Sequence, residues 1–177
     1  MASELQVTTI RGVPTGANAN QINIASGQTL HAPGHVIQVV TARSEGPATG
    51  STSNTYVNSG LGISITPKLA SSKILVETTF TSTSSQGNAA NAGTVYKFYY
   101  SIAGGSYAAI RSGNGFLQYN NDGSAYNHGV AHMMEEISPS TTSAITFRIY
   151  YRTLTSFQSG IQRDWGGVNF RAMEIAQ

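Results

Sequence analysis

His128 and His132 stand four residues apart, with Glu135 and Glu136 close behind. On a helix that spacing would turn two imidazoles toward one metal ion. The His-Glu-x-x-His order of a helical zinc site is absent, however. The surrounding residues also read as a strand, where positions four apart share a face but meet no third ligand. Both histidines are therefore expected to be solvent-facing or packed, and no metal or other cofactor is expected. Glu135 and Glu136 fail as an acid/base pair, because adjacent strand residues point to opposite faces. Asn120-Asn121-Asp122-Gly123 has the flavour of a calcium loop but carries one carboxylate where calcium wants several, so it reads as a turn. Gly113-Asn114-Gly115 lacks the third glycine of a dinucleotide loop. No Gly-x-Ser-x-Gly elbow occurs. The residues point to no enzyme.

One group has the chemistry of sugar recognition. Tyr107, Phe116, Tyr119 and Tyr126 are set among Asn and Gly, and Trp165 follows Asp164. Aromatic faces cover the apolar side of a sugar ring while Asn and Asp bond its hydroxyls. The candidate glycan set is Tyr119, Asn121, Asp122, Tyr126, Asp164 and Trp165. The competing role for these aromatics is core filling or contact between subunits, which a lone Trp in a sandwich favours.

The elements that must position these groups are strands. Val36 to Arg43 is the first of a series. Leu61 to Ile65 places apolar residues at every second position, and Lys73 to Phe80 aligns Ile74, Val76 and Phe80 on one face. Thr94 to Ile102 sets Tyr96, Phe98, Tyr100 and Ile102 against Val95, Lys97 and Tyr99. Gly104-Gly105 signals a hairpin into Tyr107 to Ile110. Residues 82–93 and 112–127 read as loops. Val130 to Ile137 is too short between Gly129 and Ser138-Pro139 for a helix and is read as strand. Ala144 to Arg152 sets Ile145, Phe147, Ile149 and Tyr151 against Thr146, Arg148, Tyr150 and Arg152. Leu154 to Ile161 is a weaker strand, and Val168 to Ile175 ends the series. Seven or eight strands without a helix predict an all-β, antiparallel β-sandwich, jelly-roll-like in kind.

Residues 1–34 differ from this series. Glu4 to Ile10 and Gln21 to Ala25 alternate as two short strands around the turn Arg11-Gly12-Val13-Pro14, and Pro33-Gly34 punctuates their end. Two such strands cannot bury a core. The cheapest source of partners is the same arm from neighbouring chains. The chain is thus divided into an attachment and oligomerisation arm, 1–34, and a sandwich head, 35–177. Leu5, Val7, Ile10, Ile22, Ile24 and Leu30 are the candidate anchoring and trimer residues.

Composition narrows the classes further. Charged residues make up 10 % of the 177 residues, against about 25 % in an average globular protein, and polarity comes from 21 Ser, 19 Thr and 12 Asn. Zero cysteine excludes disulfides and thiolate sites. No apolar run approaches a membrane span, and Met1 to Leu5 lacks the basic and apolar regions of a signal peptide. A net charge of +2 without a basic run gives no electrostatic footprint for nucleic acid.

The run Pro33 to Val40 resembles the opening of a β-domain found in virion proteins and fibres of marine and cyanobacterial tailed phages. So do Ser53 to Leu61, Ile63-Ser64-Ile65-Thr66-Pro67, Ser71 to Val76 and the closing Ala172-Met173-Glu174-Ile175. Leu5 to Ile10 is similar to the start of such proteins. The resemblance implies a non-enzymatic particle component, commonly a homotrimer, on the virion exterior among other virion proteins. The short chain and the missing stalk lead to the expectation of a capsid decoration (cement) protein or short head fibre held by its arm. The alternative is the receptor-binding tip of a tail fibre touching host surface glycans.

Overall fold

The structure, a computed structural model, describes residues 32–45, 49–85, 92–113, 115–120, 126–154, 158–162 and 167–177. The chain divides into two units at His31/Ala32. The first unit, with Leu5, Val7, Ile10, Ile22, Ile24 and Leu30, lies outside the described residues. Pro33 and Gly34, read above as the end of the arm, fall in the second unit. The Gly34 N–H donates to the Ala176 carbonyl at 2.8 Å, and the Ala176 N–H donates to the His35 carbonyl at 2.9 Å.

The described residues form strands and no helix. In chain order the strands are β1 (Val36–Ser44), β2 (Thr49–Ser51), β3 (Val57–Ile65), β4 (Lys73–Ser85), β5 (Ala92–Ile102), β6 (Ala108–Ala109), β7 (Phe116–Asn120), β8 (Tyr126–Ile137), β9 (Ile145–Thr153), β10 (Ser159–Gln162) and β11 (Val168–Ile175). Every pairing is antiparallel.

The long β4 organises the first sheet. One side of it pairs with β8 along its whole length, while the other side takes β11 over Lys73–Thr79 and β10 over Thr81–Ser84. β1 lies outside β11, and β2 outside β10. The second sheet runs β3-β9-β5, with β7 and β6 on successive stretches of the far side of β5. The pairing is nested: β1 with β11, β3 with β9, β4 with β8, β5 with β7.

Alternation decides which side chains enter the core. From the first sheet come Ile74, Val76, Phe80, Met133, Ile161, Val168, Phe170 and Ala172. From the second come Leu61, Ile63, Ile65, Tyr96, Phe98, Ile145, Phe147, Ile149 and Tyr151. Each large apolar side chain taken from water contributes roughly 1.5–3 kcal/mol. The layers are also tied by polar contact, since the Tyr96 hydroxyl donates to the Gly160 carbonyl at 2.8 Å. Burial pushes that phenol far above its ordinary pKa, so it stays a donor.

Two expected loops are partly strand. β7 and the start of β8 lie inside 112–127, and β4 runs on to Ser85. The Gly and Asn content of 112–127 is a local preference. The partners Ala92–Tyr96 and Thr81–Ser85 offer ladder bonds and override it. The hairpin after β5 also sits one residue early: Ala103 (φ 49°) and Gly104 (φ 75°) are its central residues, closed by Gly105 N–H to Ile102 O at 3.0 Å.

Candidate functional site: a tyrosine and cation face

On β5 the outward positions are Val95, Lys97, Tyr99 and Ser101; on β9 they are Arg152, Tyr150, Arg148 and Thr146. The register sets Lys97 opposite Tyr150 and Tyr99 opposite Arg148, so cation and phenol alternate across as well as along the strands. Tyr56, just before β3, and Tyr107, just before β6, extend this pattern on either side.

The four rings form a row. Tyr56 and Tyr99 have centroids 6.1 Å apart, Tyr99 and Tyr150 stack at 4.0 Å, and Tyr150 and Tyr107 are 6.0 Å apart. Cations cap both end rings. The Lys97 ammonium lies 4.8 Å and the Arg152 guanidinium 5.5 Å from the Tyr56 centroid, and the Arg148 guanidinium lies 5.1 Å from that of Tyr107.

Two glycines let the cationic stems lie close to the sheet. A Cβ on Gly62 would meet the Phe147 carbonyl oxygen at 2.0 Å and Arg148 Cγ at 3.0 Å. A Cβ on Gly115 would meet the Tyr96 carbonyl oxygen at 1.9 Å and Lys97 Cγ at 2.6 Å. Gly115, weighed above as part of a nucleotide loop, serves close approach instead.

Among the described residues the cations of this face are not matched by carboxylates. Among the described residues Glu45 pairs with Arg43 at 2.7 Å, Glu136 with Lys73 at 2.8 Å, Glu77 with Arg171 at 2.9 Å, and Glu135 with Arg111. The remaining described carboxylate, Glu174, is bound by backbone N–H groups. Lys97, Arg148 and Arg152 are left without a carboxylate among the described residues. Lys97 is only 6 % exposed, an uncommon place for a cation lacking an anion. The Tyr56 hydroxyl is buried and has no hydrogen-bond partner among the described residues. Burial, helped by Tyr56 and Tyr150, raises the pKa of the Tyr99 phenol and keeps it a donor.

The residues singled out from sequence are placed elsewhere. His128 and His132 lie on the outer face of the first sheet, where each Nδ1 meets a β4 threonine: Thr83 Oγ1 at 2.9 Å and Thr79 Oγ1 at 3.0 Å. At about 3.3 Å per residue, their positions are about 13 Å apart along the strand, too far to share an ion. Glu135 and Glu136 do point to opposite faces, each with its own cation. Of the candidate glycan set, Asn121, Asp122, Asp164 and Trp165 lie outside the described residues. Tyr119 is in β7 of the second sheet and Tyr126 in β8 of the first; their side chains lie outside the described residues. Of the Asn- and Gly-flanked aromatics with described side chains, Tyr107 enters the tyrosine row. Phe116 instead packs against the core beneath the Arg111 guanidinium, 5.0 Å away. The signal for the new face was present in the alternation of Lys97 and Tyr99 and of Arg148, Tyr150 and Arg152, but only pairing of β5 with β9 brings the two series together.

The described head is an antiparallel β-sandwich. No family model matches the chain, and no curated protein is similar to it. Several solved structures align with the chain, two of them at the following low similarity. One is dimeric latent PorU from Porphyromonas gingivalis, with 13 % identity, a TM-score of 0.36, and 89 % of this chain covered against 15 % of that one. The other is infectious bursal disease virus, Gx strain, with 12 % identity, a TM-score of 0.38, and coverage of 88 % and 44 %. The aligned region thus spans less than half of either structure's chain, and at such scores neither likeness bears on what this chain does.

Proposed function

We propose that the chain is a non-enzymatic structural protein of the phage virion exterior, a homotrimeric capsid decoration protein or short head fibre. The observation that carries this reading is the strand order. Nested pairs divided as β1-β11-β4-β8 and β3-β9-β5-β7 support a jelly-roll reading, an architecture that recurs in viral capsid and lectin domains. The phage-like stretches Pro33 to Val40, Ser53 to Pro67, Ser71 to Val76 and Ala172 to Ile175 supply β1, β3, the start of β4 and the end of β11 of that wiring. Residues 1–31 carry attachment to other virion proteins, since their alternating sequence reads as strands and a strand edge can add to a sheet on a partner. A second reading, the receptor-binding tip of a tail fibre, is favoured by the tyrosine and cation face.

The test is to image particles carrying the labelled chain and to repeat the docking with residues 1–31 deleted. Ala32 to Gln177 is retained because Gly34 and His35 bond to Ala176. Label on the capsid, with docking lost on deletion, is the expected result. Label confined to the tail favours the second reading, label absent from particles overturns both, and docking by the truncated head moves the anchor into the sandwich.

A further inference from the structure

We propose that the outer face of the second sheet binds an acidic saccharide, with Arg148 and Arg152 taking its carboxylate or sulfate groups beside the hydroxyl-bearing row Tyr56–Tyr99–Tyr150–Tyr107. The choice of a saccharide deepens the second reading above, but binding itself requires no particle.

Charge comes first. Where Arg43 and Arg171 flank a depression of about 430 Å³ on the other sheet, both are already neutralised, by Glu45 and Glu77. Lys97, Arg148 and Arg152 have no carboxylate among the described residues, so an anion arriving there displaces no described ion pair. Geometry comes second. A guanidinium laid over a phenol ring is held in orientation while its N–H edges still point outward, the arrangement that takes a carboxylate or sulfate through paired hydrogen bonds. Cations at both ends of the row suit a ligand with repeated negative groups. Hydroxyl chemistry comes third: the unpartnered Tyr56 hydroxyl and the protonated Tyr99 hydroxyl are donors within the row.

The same geometry disfavours nucleic acid. Base stacking on a protein needs an open ring face. Here Tyr99 and Tyr150 cover one another, and Tyr56 and Tyr107 lie beneath cations.

Calorimetry on the full chain, with free ligand, tests the site separately from the virion assignment. The probes are a polygalacturonate oligosaccharide, a heparin oligosaccharide, a cello-oligosaccharide of equal length as the neutral control, and a short single-stranded DNA. At least one acidic saccharide is expected to bind, more weakly as salt rises, and the neutral one is not. The double variant Arg148→Gln/Arg152→Gln should bind about a hundredfold more weakly, near tenfold for each cation lost. Arg171→Gln, on the other sheet, should bind unchanged. Arg148→Lys/Arg152→Lys, which keeps the charge and the fold, should be intermediate. Failure of both acidic probes, equal binding of the neutral one, tighter binding of DNA, or full affinity in the folded double Gln variant would each overturn the proposal.

Discussion

Glu174 is a carboxylate closed off from solvent. Its carboxylate is fully buried at the end of β11 and is held by the Lys68 N–H at 2.8 and 2.9 Å, the Leu69 N–H at 2.9 Å and Gln38 Nε2 at 2.7 Å. Burial alone would raise its pKa. The donors from Lys68, Leu69 and Gln38 outweigh burial and lower it below the ordinary value of 4.5. A folded-state pKa below the unfolded one stabilises the fold fully above the unfolded value, and that contribution is lost as pH falls through the folded value. Thermal melts from pH 7 downward should therefore show wild type losing stability below about pH 4.5. Glu174→Gln sets an amide N–H₂ against donors, so it should cost about 1–3 kcal/mol at pH 7 and lose less on acidification. Equal slopes for the two proteins would show that another group governs the acid limb. The sequence marks Glu174 only as a charge at an inward position of an alternating strand; its donors lie more than a hundred residues away.

At the level of elements, the register of β3 on β9 depends on a residue with no side chain. β3 is an edge strand with an irregularity between Asn58 and Gly62, and Gly60 there has a φ of 76°. Irregular edges of this kind blunt pairing with other chains. Gly62 then faces the Phe147 carbonyl too closely for any Cβ. Gly62→Ala should destabilise the head by about 1–3 kcal/mol through overpacking. It should also displace the Arg148 stem, so saccharide affinity should fall with stability. Urea unfolding and calorimetry on the same sample check both; an Ala variant with unchanged midpoint would mean that β9 gives way without cost. The apolar alternation of β3, β4, β5, β9 and β11 was legible because burial on one face imposes period two. β7 and the first residues of β8 were not, because partners far along the chain make them strands.

For the whole molecule, the expectation is a homotrimer built on residues 1–31, whose two short alternating segments have too little apolar surface to fold alone. Light scattering should give three times 18.7 kDa for the full chain and one head mass after deletion of 1–31. A full-length monomer would remove the trimer. A truncated trimer would move the association surface to the sandwich, which by itself holds a continuous core from both sheets.

An all-β chain and the alternation that sorts inward from outward residues were legible from the residues alone. These follow from short-range physics: period-two burial, turn chemistry at Gly and Pro, and a low density of charge. Tertiary structure alone decided which outward series face each other. Lys97 and Tyr99 lie some fifty residues from Arg148, Tyr150 and Arg152, and Tyr56 and Tyr107 come from separate segments. Only the lateral pairing of β5 with β9 brings the two series together, because strand register, not sequence distance, fixes which side chains meet.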